Sequence, residues 1–175
     1  STLCDDRSAT HQAVSQLIST GCRRILYLFT SYSYSGTNKM KGYRDALLGH
    51  GLSIQEEYIQ NCEKDVLAAR DLLLHLHQSG LQFDAVLTSD DTLAVGAVKY
   101  AHAAGRSIPD DLSIVGYNNS IYSICTDPEI TSIDSKVEAL CTTTVNTLMG
   151  VFSGGNVPSR TTIAADLIKR ETTNF

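Results

Sequence analysis

Polar side chains directly follow several of the apolar segments of this sequence, and their types suit the binding of a polar ligand. Residues 112–115, which are apolar except for Ser113, run into Gly116, Tyr117, Asn118 and Asn119. An amide side chain both donates and accepts hydrogen bonds, so it can recognise a ligand hydroxyl. Hydroxyl, amide or carboxylate groups also follow three other apolar segments, at residues 31–38, at Asn61 with Cys62, and at residues 89–91.

Each of these residues also has a purely structural explanation. Asn118 and Asn119 suit a tight turn, because Asn tolerates positive φ and bonds to its own backbone. Asp90 and Asp91 precede an apolar helical pattern and taken singly are better explained as helix caps. Ser135 is followed three residues later by Glu138, which is the spacing of a capping box. The local sequence alone leaves both interpretations open.

Catalytic and metal-binding patterns are not found. The sequence has no GxSxG, GxGxxG, Walker or HExxH motif. His75 and His77 are two residues apart on a predicted helix, so they point to different faces and cannot share a metal ion. The five cysteines are scattered without a CxxC pair, which favours a reducing compartment over disulfides or zinc. We therefore predict a binding protein, not an enzyme, with no metal and no cofactor.

The elements that must position these residues alternate between strand and helix. Helical periodicity predicts helices at residues 8–20, 38–48, 64–80, 90–105 and 135–152. Apolar segments predict strands at residues 25–29, 84–89, 112–117 and 161–168, with a weak strand at 54–59. The strands are apolar throughout, which predicts an α/β fold with a parallel, Rossmann-like sheet covered by helices on both faces. In such a sheet the polar segments meet beyond the carboxyl ends of the strands, where ligands bind.

Composition limits the partners of the chain. Its 175 residues suffice for one domain or one lobe of a larger domain. The net charge of −5 argues against a nucleic-acid surface on this chain, since phosphate contacts need clustered Lys and Arg. No apolar run approaches the roughly 20 residues of a membrane span, so no membrane partner is expected.

Five segments, in order, resemble the effector-binding domain of the lactose-repressor (LacI) family of transcription regulators. They are CDDRSATHQAVSQLISTGCRRILYL, TSDDTLAVGAV, SIPDDLSIVGYNN, DPEITSI and ADLIKRETT. Together they cover nearly the whole chain. The resemblance implies a periplasmic-binding-protein-like type I fold, in which two α/β lobes enclose a ligand cleft.

The resemblance also implies a partial, truncated domain over residues 1–175, without the family's DNA-binding headpiece. Residues 23–117 and 160–170 would form the second lobe, and residues 5–20 and 131–153 would be elements of the first. The two amphipathic helices separated from their lobe would leave an apolar patch, through which we expect the chain to form a homodimer.

The family's ligand contacts transfer to this sequence with changes. An arginine of the family falls at Lys39, and an Asn-Asp pair falls at Asp90 and Asp91. An aspartate falls at Asn118, and an aromatic residue that stacks on the ligand falls at Cys62. The full predicted ligand-binding set is Asp5, Asp6, Ser35, Lys39, Cys62, Asp90, Asp91, Asn118 and Ser135.

The function implied is that of a cytoplasmic sensor. A small-molecule effector, polar and sugar-like, would bind between the lobes, and operator DNA would be contacted only through the headpiece. Two alternatives stay open from sequence: a solute-binding protein of a sugar transporter, and an enzyme built on a flavodoxin-like sheet.

Overall fold

The computed structural model describes residues 1–175 and contains eight strands and five α-helices. The strands are β1 (Thr2–Cys4), β2 (Ile25–Phe29), β3 (Ile59–Asn61), β4 (Ala85–Thr88), β5 (Ser113–Tyr117), β6 (Thr131–Asp134), β7 (Thr161–Ile163) and β8 (Asp166–Ile168). The helices are α1 (Asp6–Ser19), α2 (Tyr34–Gly49), α3 (Val66–Gln78), α4 (Asp91–Ala103) and α5 (Val137–Phe152). Short 3-10 turns occupy Glu56–Tyr58 and Ile121–Ile124.

Six of the strands form one sheet in the order β3-β2-β4-β5-β6-β8. All neighbouring pairs run parallel except β6 and β8, which are antiparallel at one edge. The predicted α/β class, with a mostly parallel sheet, is therefore confirmed. Because successive side chains point to opposite faces of a strand, every residue of β2, β4 and β5 is buried under one helical layer or the other.

Helices α1 and α2 cover one face of this sheet, and α3 and α4 cover the other. Tyr27 and Val115 pack with the first pair of helices, whereas Leu28 and Ile114 pack with the second pair. Fully burying such a side chain contributes about 1.5–3 kcal/mol, so the two clusters of buried side chains are the main source of stability. Both clusters support the same sheet and so fix the positions of the strand ends.

Helix beginnings follow the expected capping chemistry in four cases and depart from it in one. The side chains of Asp5, Ser33, Asp65 and Asp90 each accept a backbone N–H at the start of their helix. Helix α5 instead starts after Lys136, whose φ is 54° and whose side chain makes no capping bond. The predicted capping box at Ser135 is therefore wrong, and Ser135 is left as a buried residue with no capping role.

The last predicted strand, residues 161–168, is two strands in the structure. Strand β7 pairs with β1 in a separate two-stranded sheet, and only β8 joins the six-stranded sheet. Strand β6 pairs with β5 in that larger sheet, which differs from the predicted assignment of residues 131–153 to the other lobe. The six-stranded sheet with α1–α4 is called the main lobe below, and β1, β7 and α5 the small module.

Helix α1 also differs from its predicted assignment to the other lobe. Its residues Ala13, Val14 and Leu17 are fully buried against the main lobe, so its apolar side is not exposed. Helix α5, by contrast, has no buried residue and leaves several large apolar side chains in solvent.

Two predicted boundaries differ in the structure: α2 begins at Tyr34, and the weak strand predicted at 54–59 is a 3-10 turn followed by β3. None of the helices combines the length and the apolar character needed to cross a membrane.

The contact between α1 and α2 depends on Gly42. A Cβ atom at this position would lie 2.3 Å from the carbonyl oxygen of Arg7 and 2.9 Å from the Cβ atom of Thr10. Both neighbours belong to α1, and one of them is backbone that cannot rotate away. The two helices are therefore as close as their backbones allow.

We expect Gly42→Ala to lower the free energy of unfolding by about 1–3 kcal/mol, because α1 and α2 would have to separate. Gly49→Ala on the same helix is the matched control, since nothing lies within 4 Å of a Cβ atom there. The control should be neutral or gain up to about 1 kcal/mol, as Ala favours a helix more than Gly. Urea unfolding of both variants measures the difference, and equal stabilities would contradict the close approach.

Candidate functional site

Three clefts meet at the carboxyl edge of the main sheet, and Asn118 lines all of them. The first, of about 310 Å³, lies between the main lobe and the small module. The second, of about 540 Å³, opens beside Lys64 and Asp90, and the third, of about 710 Å³, lies against the start of α5. The side chains lining the first cleft are Thr2, Leu3, Cys4, Asp6, Tyr34, Ser35, Lys39, Tyr117, Asn118, Ser135 and Leu140.

The two asparagines after β5 are both turn residues, and only one of them faces all three clefts. Asn118 and Asn119 have φ values of 97° and 49°, which few residues other than Gly and Asn adopt. The Asn119 side chain accepts from Arg170 at 2.6 Å. The Asn118 side-chain N–H donates to Asp90 at 2.9 Å, and its oxygen makes no hydrogen bond within the chain. The turn and ligand interpretations are thus compatible at Asn118.

Lys39 projects from α2 into the first cleft and is only 8% exposed. Its Nζ donates to the Ser89 carbonyl at 3.1 Å and lies 3.5 Å from the centre of the Tyr117 ring. Burial lowers the pKa of this amine, although the negative charges of Asp6 and Asp90 oppose the change. One carbonyl and one aromatic face leave donor capacity on Nζ for a ligand.

Asp6 and Tyr117 form a buried pair on the floor of the first cleft. The Tyr117 hydroxyl donates to Asp6 Oδ1 at 2.6 Å. Burial, together with the Asp6 charge, raises the pKa of Tyr117, so its hydroxyl stays protonated and acts as a donor. Burial and the same carboxylate raise the pKa of the neighbouring Cys4 thiol to about 11. That thiol is therefore a poor nucleophile at neutral pH.

Asp90 links the second cleft to Asn118. Its carboxylate accepts from the Thr92 amide at 2.9 Å as the cap of α4 and contacts Lys64 Nζ at 2.7 Å. Burial acts to raise the pKa of Asp90, but its bonds to Lys64 and Thr92 outweigh it and the pKa lies below its ordinary value. Asp90 is consequently an anion that both starts the helix and orients the Asn118 amide.

Asp91 does not reach any of the three clefts, contrary to its prediction as a ligand contact. It is fully buried, and its carboxylate accepts from the Ser132 hydroxyl at 2.6 Å and from the Ser120 amide and hydroxyl at 2.7 and 2.8 Å. Burial raises its pKa, while these bonds oppose the shift. Asp91 therefore ties together α4, β6 and the loop after β5.

Two other predicted site residues also lie outside the clefts. Asp5 accepts from the Ser8 amide as the cap of α1. Cys62 is buried among the apolar side chains under α3 and α4, and burial raises the pKa of its thiol. A buried thiol at this position offers a ligand neither a stacking surface nor an accessible polar atom.

The structure brings six of the nine predicted residues to this edge. Asp6, Ser35, Lys39, Asn118 and Ser135 line the first cleft, and Asp90 lines the second. The sequence did not predict Lys64 as a site residue. Its ion pair with Asp90 joins two segments that are distant in sequence, and no local sequence pattern indicates it. Tyr34 was also not predicted, although an aromatic residue in the polar segment 31–38 was a visible signal.

Several polar atoms at this edge are available to a ligand, because they make no hydrogen bond within the chain. These include the hydroxyls of Ser35 and Ser135 and the side-chain oxygen of Asn118. Lys39 supplies a donor beside them, and the second oxygen of Asp6 supplies an acceptor. The cleft thus offers both hydrogen-bond donors and hydrogen-bond acceptors on a largely buried floor. This combination suits a small ligand that carries several hydroxyl groups.

The fold is that of an α/β lobe with polar groups at the carboxyl edge of its sheet, and comparison with known proteins identifies the family. A family described as the periplasmic binding protein-like domain matches residues 14–173. The chain belongs to this family, and its predicted resemblance to the effector-binding domain of LacI-type regulators is confirmed by its relatives.

An HTH-type transcriptional regulator of Lachnoclostridium phytofermentans is 51% identical over 174 residues, covering 99% of this chain and 52% of the relative. The regulator CelR of Thermobifida fusca is 28% identical, covering 95% of this chain and 50% of the relative. The chain thus spans about half the length of these curated relatives.

Solved structures agree with the sequence relatives. A LacI-family regulatory protein from Chloroflexus aggregans superposes with a TM-score of 0.91 at 27% identity, covering 99% of this chain and 63% of that one. A CelR–cellobiose complex superposes with a TM-score of 0.91 at 26% identity, covering 98% of this chain and 53% of that one.

We expect Asp90→Asn to keep the α4 cap but to weaken the bonds to Lys64 and Asn118, at a cost of about 1 kcal/mol at neutral pH. Because the folded pKa of Asp90 is lowered, its stabilising contribution is present above the ordinary value of 3.8 and is lost as pH falls through the folded pKa. Urea unfolding at several pH values checks this. A difference from wild type that persists unchanged in acid would contradict the ionised carboxylate.

Proposed function

We propose that this chain is the effector-sensing part of a LacI-type transcription regulator and that the effector is a small, sugar-like molecule. The observation that carries the proposal is the set of unpaired donors and acceptors around Asn118, on the carboxyl edge of a parallel sheet. A ligand of many hydroxyls would satisfy Lys39, Asn118 and Ser135 together. The binding of cellobiose by the neighbour CelR supports the sugar class for this chain.

The first cleft separates the main lobe from the small module, so a ligand held there contacts both. Such a ligand shifts a conformational equilibrium only if it binds one arrangement more tightly than the other. In this proposal that shift changes the affinity of the whole protein for operator DNA. The contact with DNA belongs to another part of the protein, consistent with the net charge of −5 on this chain.

The division into lobes is also a proposal. The main lobe corresponds to the predicted second lobe without β7, and it also includes α1 and β6, which were assigned to the first lobe. The small module combines α5, the remaining element assigned to the first lobe, with β1 and β7. A cytoplasmic location follows from the proposed action on DNA. A transporter's solute-binding protein would share the fold, but the curated relatives reported above are transcriptional regulators.

A thermal-shift screen of sugars on the natural full-length chain tests the effector proposal. A ligand at 100 times its Kd should stabilise the protein by about 2.7 kcal/mol. Asn118→Ala should remove most of that stabilisation, because it deletes the amide shared by all three clefts. Asn146→Ala on the exposed part of α5 is the control and should retain it. Equal ligand stabilisation in the two variants would refute the assigned site.

Self-association is the second part of the proposal, and the uncovered face of α5 supports it. Val145, Leu148, Met149 and Phe152 are each more than half exposed on this helix. Contiguous apolar surface of this kind is typical of protein interfaces. We propose that two copies of the chain associate through α5 as a homodimer.

We expect sedimentation equilibrium of this chain to show a dimer, and we expect the double substitution Leu148→Glu with Met149→Glu to give a monomer. The introduced carboxylates would have to be desolvated in the interface, which costs more than the contact returns. Asn146→Glu adds one charge to the same helix and should leave the dimer intact. A wild-type monomer at high concentration would contradict the proposal.

A further inference from the structure

The mouth of the first cleft carries an aromatic side chain whose position is not explained by burial. Tyr34 is 56% exposed, yet it lines the cleft together with Ser35 and Lys39. The polar floor is much deeper, since Asp6 and Lys39 are only 5% and 8% exposed. The cleft therefore changes along its depth, from charged groups on the floor to an exposed ring at the opening.

The Tyr34 ring is held in place without a ligand. It belongs to the first turn of α2, which the Ser33 side chain caps. Its hydroxyl accepts a hydrogen bond from Arg160 at 2.9 Å. Arg160 immediately precedes β7 of the small module, so this bond joins the main lobe to the small module. A ring fixed at both ends loses little conformational freedom when a ligand packs on it.

The chemistry of an exposed aromatic face selects a particular part of a sugar. The face of the aromatic ring carries partial negative charge and attracts hydrogen atoms that carry partial positive charge. One face of a pyranose ring presents C–H groups, which pack well on such a surface. Two apolar side chains, Leu3 and Leu140, belong to the same lining and add apolar surface to the cleft.

We propose that Tyr34 is a stacking residue that gives the site its preference for disaccharides over monosaccharides, an inference that rests on the proposed sugar-sensing function. One sugar ring lies on the polar floor, where Lys39, Asn118 and Ser135 bind its hydroxyls. The second ring lies at the opening against Tyr34. A cleft of about 310 Å³ lies at the lower end of the volumes that hold molecules of this size.

The test is isothermal titration calorimetry of the natural full-length chain with cellobiose, maltose, sucrose, glucose and adenosine. We expect a disaccharide to bind most tightly, and Tyr34→Leu to raise its Kd about tenfold, the scale of losing one aromatic stacking contact. Binding of glucose should change by less than about threefold, because a single ring reaches only the floor. Tyr34→Phe keeps the ring and should bind the disaccharide almost as wild type does.

Tyr32→Leu is the matched control, because Tyr32 is an exposed tyrosine of the same segment that packs on Phe29 and does not line the cleft. It should leave all the Kd values unchanged. If Tyr34→Phe loses as much affinity as Tyr34→Leu, the bond to Arg160 is responsible and the stacking proposal is wrong. Tightest binding of adenosine would overturn the ligand class.

The outcomes also separate this inference from the function on which it rests. If Asn118→Ala abolishes disaccharide binding while Tyr34→Leu has no effect, the proposed site stands and the role of Tyr34 is refuted. If wild type binds none of the five probes, both the proposed sugar-sensing function and the role of Tyr34 are overturned.

Discussion

The buried carboxylate of Asp91 is the interaction on which the carboxyl edge of the sheet depends. It accepts hydrogen bonds from Ser132 of β6 and from Ser120 in the loop after β5, while its own backbone begins α4. It also explains Gly116, since a Cβ atom there would lie 2.2 Å from Asp91 Oδ1. A buried charge is tolerated only when its acceptors are satisfied, so α4, β6 and this loop must keep one arrangement. That arrangement places Asn118 at the junction of the three clefts.

At the same edge, neighbouring residues differ in how far their polar groups are already satisfied within the protein. Asp91 uses its acceptor capacity on the protein, whereas Asp90 caps α4 and still orients Asn118 toward solvent. The Lys39 Nζ atom donates one hydrogen bond to the Ser89 carbonyl and lies over the face of the Tyr117 ring. Rigid placement of partly satisfied groups lowers the ordering cost of binding. The polar groups of the candidate site are therefore already positioned on the main lobe.

The two parts of the molecule differ in how completely they are packed. The main lobe buries both faces of its sheet under helices, and each helix of this lobe has a buried stripe. The small module has a two-stranded sheet and a helix without any buried residue, so few apolar contacts fix it against the main lobe. A segment with little buried surface opens at low free-energy cost. The first cleft therefore lies between a densely packed part of the chain and a loosely packed one.

The sequence by itself determined the class of fold and the edge that carries the site. Apolar strands alternating with amphipathic helices predict a parallel sheet with polar loops at its carboxyl ends, and the family resemblance pointed to Lys39, Asp90 and Asn118 as candidate ligand contacts there. Local periodicity reports whether a segment is buried, but not which segment covers it. Only the tertiary structure therefore decided that α1 packs on the main lobe and that β7 pairs with β1.

The same limit separates Asp90 from Asp91, which are adjacent and chemically identical. One faces a cleft and the other is enclosed, because the hydroxyl and amide donors that satisfy Asp91 come from Ser120 and Ser132, 29 and 41 residues away. Adjacent residues at the start of a helix point their side chains in different directions. Only the packing of distant segments determines which of the two side chains is buried. Residue type and spacing thus specified the chemistry available at this edge, and long-range packing decided which groups a ligand can reach.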